Sequence, residues 1–151
     1  MQIREDDLTS ASVRSLLELH LKGMQGASPP GHVFALDLSG LQRPDVTVWT
    51  AWEVDTAVGV AALRRLDADT GELKSMRTHP EHLRKGVAAA LLEHVIGQAR
   101  ARRLKRLSLE TGSGPDFDAA LTLYRRRGFR DGEAFGDYRR SAFNQFLHLE
   151  L

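Results

Sequence analysis

Residues 72–111, ELKSMRTHPEHLRKGVAAALLEHVIGQARARRLKRLSLET, decide the fold. The segment opens with an alternating run, Glu72 to Thr78, and closes with another, Arg106 to Thr111. Between them, over Gly86 to Arg103, Ala88, Leu91, Leu92, Val95, Ile96 and Ala99 form one apolar stripe at helical spacing. Strand, helix and strand in that order predict a right-handed parallel crossover. Just upstream, Val46, Val48 and Ala51 with Trp49 and Trp52 form one strand-like run, and Ala57 to Leu63 form a second across Glu53-Val54-Asp55-Thr56. That is an antiparallel hairpin. The sheet is therefore expected to be mixed and the class α/β or α+β. In the run 72–78, Leu73, Ser75 and Arg77 alternate against Glu72, Lys74, Met76 and Thr78, so neither face is uniformly apolar. Such a strand marks a sheet edge or a site.

Working outward, MQIRE reads as a short strand, with Asp7 or Thr9 as the cap of a following helix whose apolar face is Val13, Leu16, Leu17 and Leu21. Gly23 and Gly26 weaken that helix, and Ser28-Pro29-Pro30-Gly31 ends it. A second short helix is expected over His32 to Leu41, before Arg43-Pro44-Asp45. After Thr111, the loop Gly112-Ser113-Gly114-Pro115 leads into a helix from Asp116 to Arg127 that stops at Gly128. Ala134 to Tyr138 and Asn144 to Leu151 read as two last strands. With 151 residues and no repeat or linker, a single domain over 1–151 is expected.

Composition removes several function classes. Lys and Arg number 21 against 20 for Asp and Glu, and a net charge of +1 gives no field to attract nucleic acid or an anionic membrane. The absence of cysteine excludes disulfides, Cys-ligated metal and a thiol nucleophile. No apolar run reaches the length of a membrane span, and the N-terminus lacks a signal core, so a soluble, cytoplasmic protein is expected.

The junction from Met76 to Ala90 combines a strand end, a proline loop, the cations Arg84 and Lys85, Gly86, and a helix start of small residues. A helix start presents unpaired N–H groups at the positive end of its dipole, and small residues let an anion approach them. An ordinary helix start with solvated basic residues is the plainer reading of the same letters. The glycine spacings of a P-loop and of a dinucleotide-binding fold are both missing.

Two segments together resemble the GNAT superfamily of acyl-CoA-dependent N-acyltransferases, and the resemblance covers nearly the whole chain. The first runs from Glu72 to Arg77, then Pro80 and Arg84 to Leu92, and is similar to that family's cofactor strand, pyrophosphate loop and helix. The second, Ala120-Leu121-Thr122-Leu123-Tyr124-Arg125-Arg126-Arg127-Gly128-Phe129, is similar to its LY…GF signature. The resemblance implies a mostly antiparallel central sheet with one splayed parallel strand pair, flanked by helices. It implies acetyl-CoA as acyl donor, with Met76, Arg77 and Thr78 on the strand beside pantetheine. Arg84, Lys85, Gly86, Val87, Ala88 and Ala89 would surround the pyrophosphate, and Tyr124 would lie near the thioester sulfur. Three positions depart from the pattern: Leu83 where Gln or Arg often begins the loop, Ala88 at the second glycine, and Phe117 in place of an Asn.

Acyl transfer to an amine needs a neutral amine, a polarised thioester carbonyl and a protonated or stabilised leaving thiolate. Glu72 is the candidate base, directly or through water, beside its plainer reading as a solvated strand-end carboxylate. Tyr124 is the candidate acid, beside its reading as an amphipathic core residue. A backbone N–H of the Met76 strand could polarise the carbonyl. His79 and His82 flank a proline and lack a third partner, so no metal is expected. Arg125 to Arg127 read as a solvated helix end, and Trp49 and Trp52 as packing residues or an acceptor wall. Met24 to Leu36 and Phe135 to Asn144 would supply the substrate wall. The expected activity is acetylation of a primary amine of a small molecule, without membrane or nucleic-acid partners and with a homodimer possible. A peptide amine as acceptor and a non-catalytic acyl-CoA-binding module are the alternatives.

Overall fold

The computed structural model describes residues 1–31 and 38–151. Strands β1 (Gln2–Glu5), β2 (Val46–Glu53), β3 (Thr56–Arg65), β4 (Thr70–Thr78), β5 (Arg106–Thr111), β6 (Arg130–Asp131) and β7 (Gln145–Glu150) form a sheet in the order β1-β2-β3-β4-β5-β7-β6. Every neighbouring pair is antiparallel except β4 and β5, which are parallel. The helices are α1 (Ala11–Ala27), α2 (Leu38–Leu41), α3 (Val87–Ala101) and α4 (Asp118–Arg127), with 3-10 turns at Pro80–His82 and Pro115–Phe117.

Strand alternation divides the apolar residues of β3 between two cores. Ala57, Val60 and Ala62 join Val13, Leu16, Leu17, Leu41, Val48 and Trp52 around α1, while Val58, Ala61 and Leu63 join the core of α3 and α4. The second core holds the α3 stripe, with Val87 buried and Ala88 only half-buried, because α3 starts at Val87 and not at Gly86. Trp49 and Trp52 are buried in these cores, and Trp52 Nε1 donates to Thr50 Oγ1 at 2.6 Å, so both tryptophans pack. The hairpin turns within Val54-Asp55, inside the expected connection.

Several expectations change. The cap of α1 is Ser10, whose Oγ accepts from Val13 N at 3.2 Å, and not Asp7 or Thr9. The Asp7 carboxylate is occupied by Thr9, and Leu8 at φ 66° turns the chain before the helix begins. Helix α1 continues through Gly23 and Gly26 to Ala27. Of the expected helix over 32–41, Leu38–Leu41 is helical and residues 32–37 lie outside the described residues. β4 lies between β3 and β5, which removes the edge reading of its mixed pattern. The start of α4 is a 3-10 turn at Pro115–Phe117, with the α-helix from Asp118. Ala134 to Tyr138 is not a strand; Gly136 at φ 57° breaks it, and Phe135 and Tyr138 instead stack on Phe146 at 5.8 and 6.0 Å. The short strand paired with β7 in that region is β6.

Gly59 lets α3 lie close on β3: a Cβ there would stand 2.6 Å from Val87 and 2.8 Å from Leu91. Gly59→Ala is expected to destabilise the fold by about 1–2 kcal/mol through overpacking. Urea unfolding should show a lower midpoint with an unchanged slope.

Candidate active site

β4 and β5 pair only at Thr70 with Arg106, Gly71 with Leu107 and Glu72 with Ser108. Beyond that point β4 stays with β3 and β5 stays with β7, so the two parallel strands part. A cavity of about 160 Å³ occupies the opening, lined by Lys74 to Arg77 of β4, Leu109 to Thr111 of β5, His20 and Met24 of α1, and Phe117, Ala120 and Tyr124. β4 also bulges here: Lys74 pairs with Ala62 and Arg77 with Val60, so Ser75 and Met76 together oppose Ala61, and Ser75 has φ 55°. A bulge leaves backbone out of the ladder and re-aims its side chains. It sits where a polarising N–H was sought on the Met76 strand.

Tyr124 enters this opening from α4. Gly128, at φ 113°, ends α4; Gly128 N donates to Arg125 O and Phe129 N to Tyr124 O, both at 3.1 Å. That turn sets Phe129 against the Tyr124 ring, with centroids 5.7 Å apart. Burial pushes the Tyr124 hydroxyl up to about 12, which keeps it protonated. The loop before α3 has Arg84 at φ 62° and Gly86 at φ 81°, and no side chain caps the helix. Nothing lies within 4 Å of where a Gly86 Cβ would stand. An uncapped helix start, two left-handed residues, and the exposed Arg84, Lys85 and Ala89 fit a diphosphate. Met76 and Thr78 lie on β4 leading to that loop. Leu83 is exposed, whereas Phe117 is buried edge-on against Phe143.

Residues 13–129 match the sequence model of the acetyltransferase (GNAT) family. The chain belongs to that family. It is similar to the uncharacterized N-acetyltransferase YedL of Escherichia coli (strain K12), with 47% identity over 149 residues, covering 99% of this chain and 94% of that one. Among solved structures, an acyl-CoA N-acyltransferase of Klebsiella pneumoniae described as putative is 28% identical with a TM-score of 0.82, covering 99% and 97% of the two chains. A GNAT acetyltransferase of Elizabethkingia anophelis solved with acetyl-CoA bound has a TM-score of 0.73 at 20% identity, covering 99% and 97%. The protein is thus an acyl-CoA-dependent acetyltransferase. The opening between β4 and β5 and the loop before α3 are the parts of this GNAT fold that the residues fit to it.

Around this opening, the acetyltransferase carries charge that the sequence concealed. Glu72 is 1% exposed. Its carboxylate accepts from Tyr138 Oη at 2.6 Å and lies 3.4 Å from Lys74 Nζ, and Lys74 Nζ also donates to Tyr138 Oη at 2.6 Å. Burial, then the facing Glu72, hold Tyr138 far above its usual range. Glu72 does not line the β4–β5 cavity; Glu110 does. Burial pushes Glu110 up to about 7; Lys74 and a hydrogen bond from Asn144 pull it down, and Glu72 pushes it further up. His20 is driven down to about 4 by burial and by Arg77. Glu110, Lys74 and His20 were absent from the expected site, whereas Tyr138 falls within the expected substrate wall of Phe135 to Asn144. Lys74 also lines a basin of about 690 Å³ beneath residues 133–138, together with Arg64, Arg106, Ser108, Tyr138 and His148.

The remaining candidates are structural. Arg125 pairs with Asp131 at 3.1 Å, and Arg127 pairs with Glu93. His79 Nδ1 accepts from Glu81 N at 3.1 Å, and among the described residues no three His, Asp or Glu form a metal-ligand group. No helix among them is long and apolar enough to cross a membrane.

His20 and Glu110 give opposite stability slopes. Unfolded His20 takes up a proton below its ordinary 6.5 and the folded residue only near 4, so its contribution is full above 6.5 and lost on acidification towards 4. Folded Glu110 keeps its proton to about 7 and the unfolded residue only to 4.5, so its contribution is present below 4.5 and lost as pH rises through 7. Between 4.5 and 6.5 the two offset each other. Glu110→Gln should therefore lose stability more steeply than the parent as pH falls through that window, measured by urea unfolding at several pH values.

Proposed function

We propose that the enzyme acetylates the primary amine of a small molecule by direct attack within a ternary complex, with no acyl group held on the protein. The supporting observation is the meeting in one cavity of a buried neutral Tyr124, the Ser75–Met76 bulge and Glu110. Each answers one chemical need of the reaction.

Glu110, ionised in part near neutral pH, takes a proton from the ammonium group and leaves the nitrogen lone pair free. Glu72 does not face the cavity in this reading; bound by Tyr138 and Lys74, it holds Lys74 beside Glu110. The bulge offers backbone N–H to the carbonyl oxygen while the C–N bond forms. Tyr124 gives its proton to the sulfur as the C–S bond breaks, and the second proton of the nitrogen restores the hydroxyl. Free CoA, the amide and one proton, passed from Glu110 to solvent, are the products. Arg84 to Ala89 hold the diphosphate, and Met76, Arg77 and Thr78 supply the strand along the pantetheine arm.

Release of free thiol against a panel of amines tests the reading. Turnover with some small amine supports it; acetyl-CoA affinity with no turnover on any amine would favour the binding-module alternative. Tyr124→Phe should lower kcat roughly 100-fold. The rate of the parent should rise with pH through about 7 as Glu110 ionises, and Glu110→Gln should abolish that limb.

A further inference from the structure

The β4–β5 cavity is divided by charge. Glu110 of β5 and Asp116 of the 3-10 turn before α4 stand on one side, whereas Arg77, Ser75 and His20 stand on its β4 and α1 side, with Lys74 between them already tied to Glu72 and Tyr138. On the basic side three polar groups lack protein partners. Ser75 Oγ and His20 Nδ1 are buried without a hydrogen bond, in residues only 8% and 6% exposed. The Arg77 side chain forms no salt bridge or hydrogen bond among the described residues. Burying polar atoms unpaired is costly, so two on one wall ask for a ligand group that completes them.

The fold also makes room for this arrangement. A Cβ on Gly23 would stand 2.5 Å from the Arg77 guanidinium, so the glycine inside α1 is what allows that side chain to lie across the helix. The left-handed Ser75 sends β4 through its bulge between Lys74 and Arg77, which puts Ser75 and Arg77 on one cavity with His20. A guanidinium, a hydroxyl and an imidazole N–H are three donors, and three donors converging on a small cavity match a carboxylate. The acids opposite match an ammonium group.

We propose that the acceptor is a small amino acid, its carboxylate held by Arg77, Ser75 and His20 while its amine faces Glu110. This deepens the amine-acetylation reading and rests on it. The two charged ends of an amino acid would enter a cavity whose walls carry the opposite charges. In that arrangement the carboxylate holds the nitrogen towards the base.

The test compares α-amino acids, each with its own carboxamide and its decarboxylated amine, as acceptors. The expected result is a kcat/KM for the acids on the order of 10- to 100-fold above the amides, as for a hydrogen-bonded charge pair. Arg77→Gln should collapse that ratio, and Ser75→Ala should lower it by less. Because the readout is a ratio, any loss of acetyl-CoA affinity acts equally on both acceptors and drops out. Equal rates for acids and amides in the parent, or an unchanged ratio in Arg77→Gln, would overturn the proposal and leave amine acetylation standing. If no amine is turned over, the melting temperature of the CoA-bound protein is titrated with propanoate, propanamide and propylamine. A shift with propanoate alone that Arg77→Gln removes would support the carboxylate subsite while the amine reading fails. No shift would overturn the subsite.

Discussion

The architecture turns on a parallel strand pair that stops pairing halfway. In an ordinary sheet, β4 and β5 would exchange hydrogen bonds along their whole length; here the ladder ends at Glu72 and Ser108. Each strand keeps its outer neighbour, β3 for β4 and β7 for β5, so the sheet survives the break while an opening forms at its centre. The helices then settle around it: α3 on β3 through Gly59, α4 with Tyr124 at the opening, and α1 closing the other face. Without the break there would be no cavity between the two strands.

The sheet face under α1 is apolar at one end and charged at the other. Under α1, Val48, Trp52, Val60 and Ala62 pack as a conventional core. Farther along, Glu72, Lys74, Ser108 and His148 take the place of apolar residues, and each finds a partner: Glu72 and Lys74 with Tyr138, and Ser108 Oγ with His148 Nδ1 at 2.7 Å. Burying an ion pair is costly unless further hydrogen bonds satisfy it, and the Tyr138 hydroxyl, which accepts from one partner and donates to the other, supplies them. That network lets this end of the face carry charge in place of a second apolar layer.

The framework was legible because it obeys periodicity. The α3 stripe, the hairpin through residues 53–56 and the alternation of 106–111 all reflect burial on one face, which residue type records directly. Attention fell on the loop before α3 and on Tyr124, which lines the cavity, through resemblance. Glu110 was not legible, since a glutamate near the end of an alternating strand looks solvated, and its environment comes from Glu72, Lys74 and Asn144, the last 34 positions away. The contact of Tyr138 with Glu72 was hidden for a related reason: Phe135 and Tyr138 look like strand residues until Gly136 turns the chain. His20 falls at the spacing of the buried face of α1 with Val13, Leu16 and Leu17, and could have been found as a polar residue in an apolar stripe.

Lys74 alone lines both the cavity between the strands and the basin beneath residues 133–138. The two chambers meet at that side chain. A change at Tyr138, in the segment roofing the outer chamber, would therefore be felt in the inner one through Glu72 and Lys74, so the two cannot be reshaped independently.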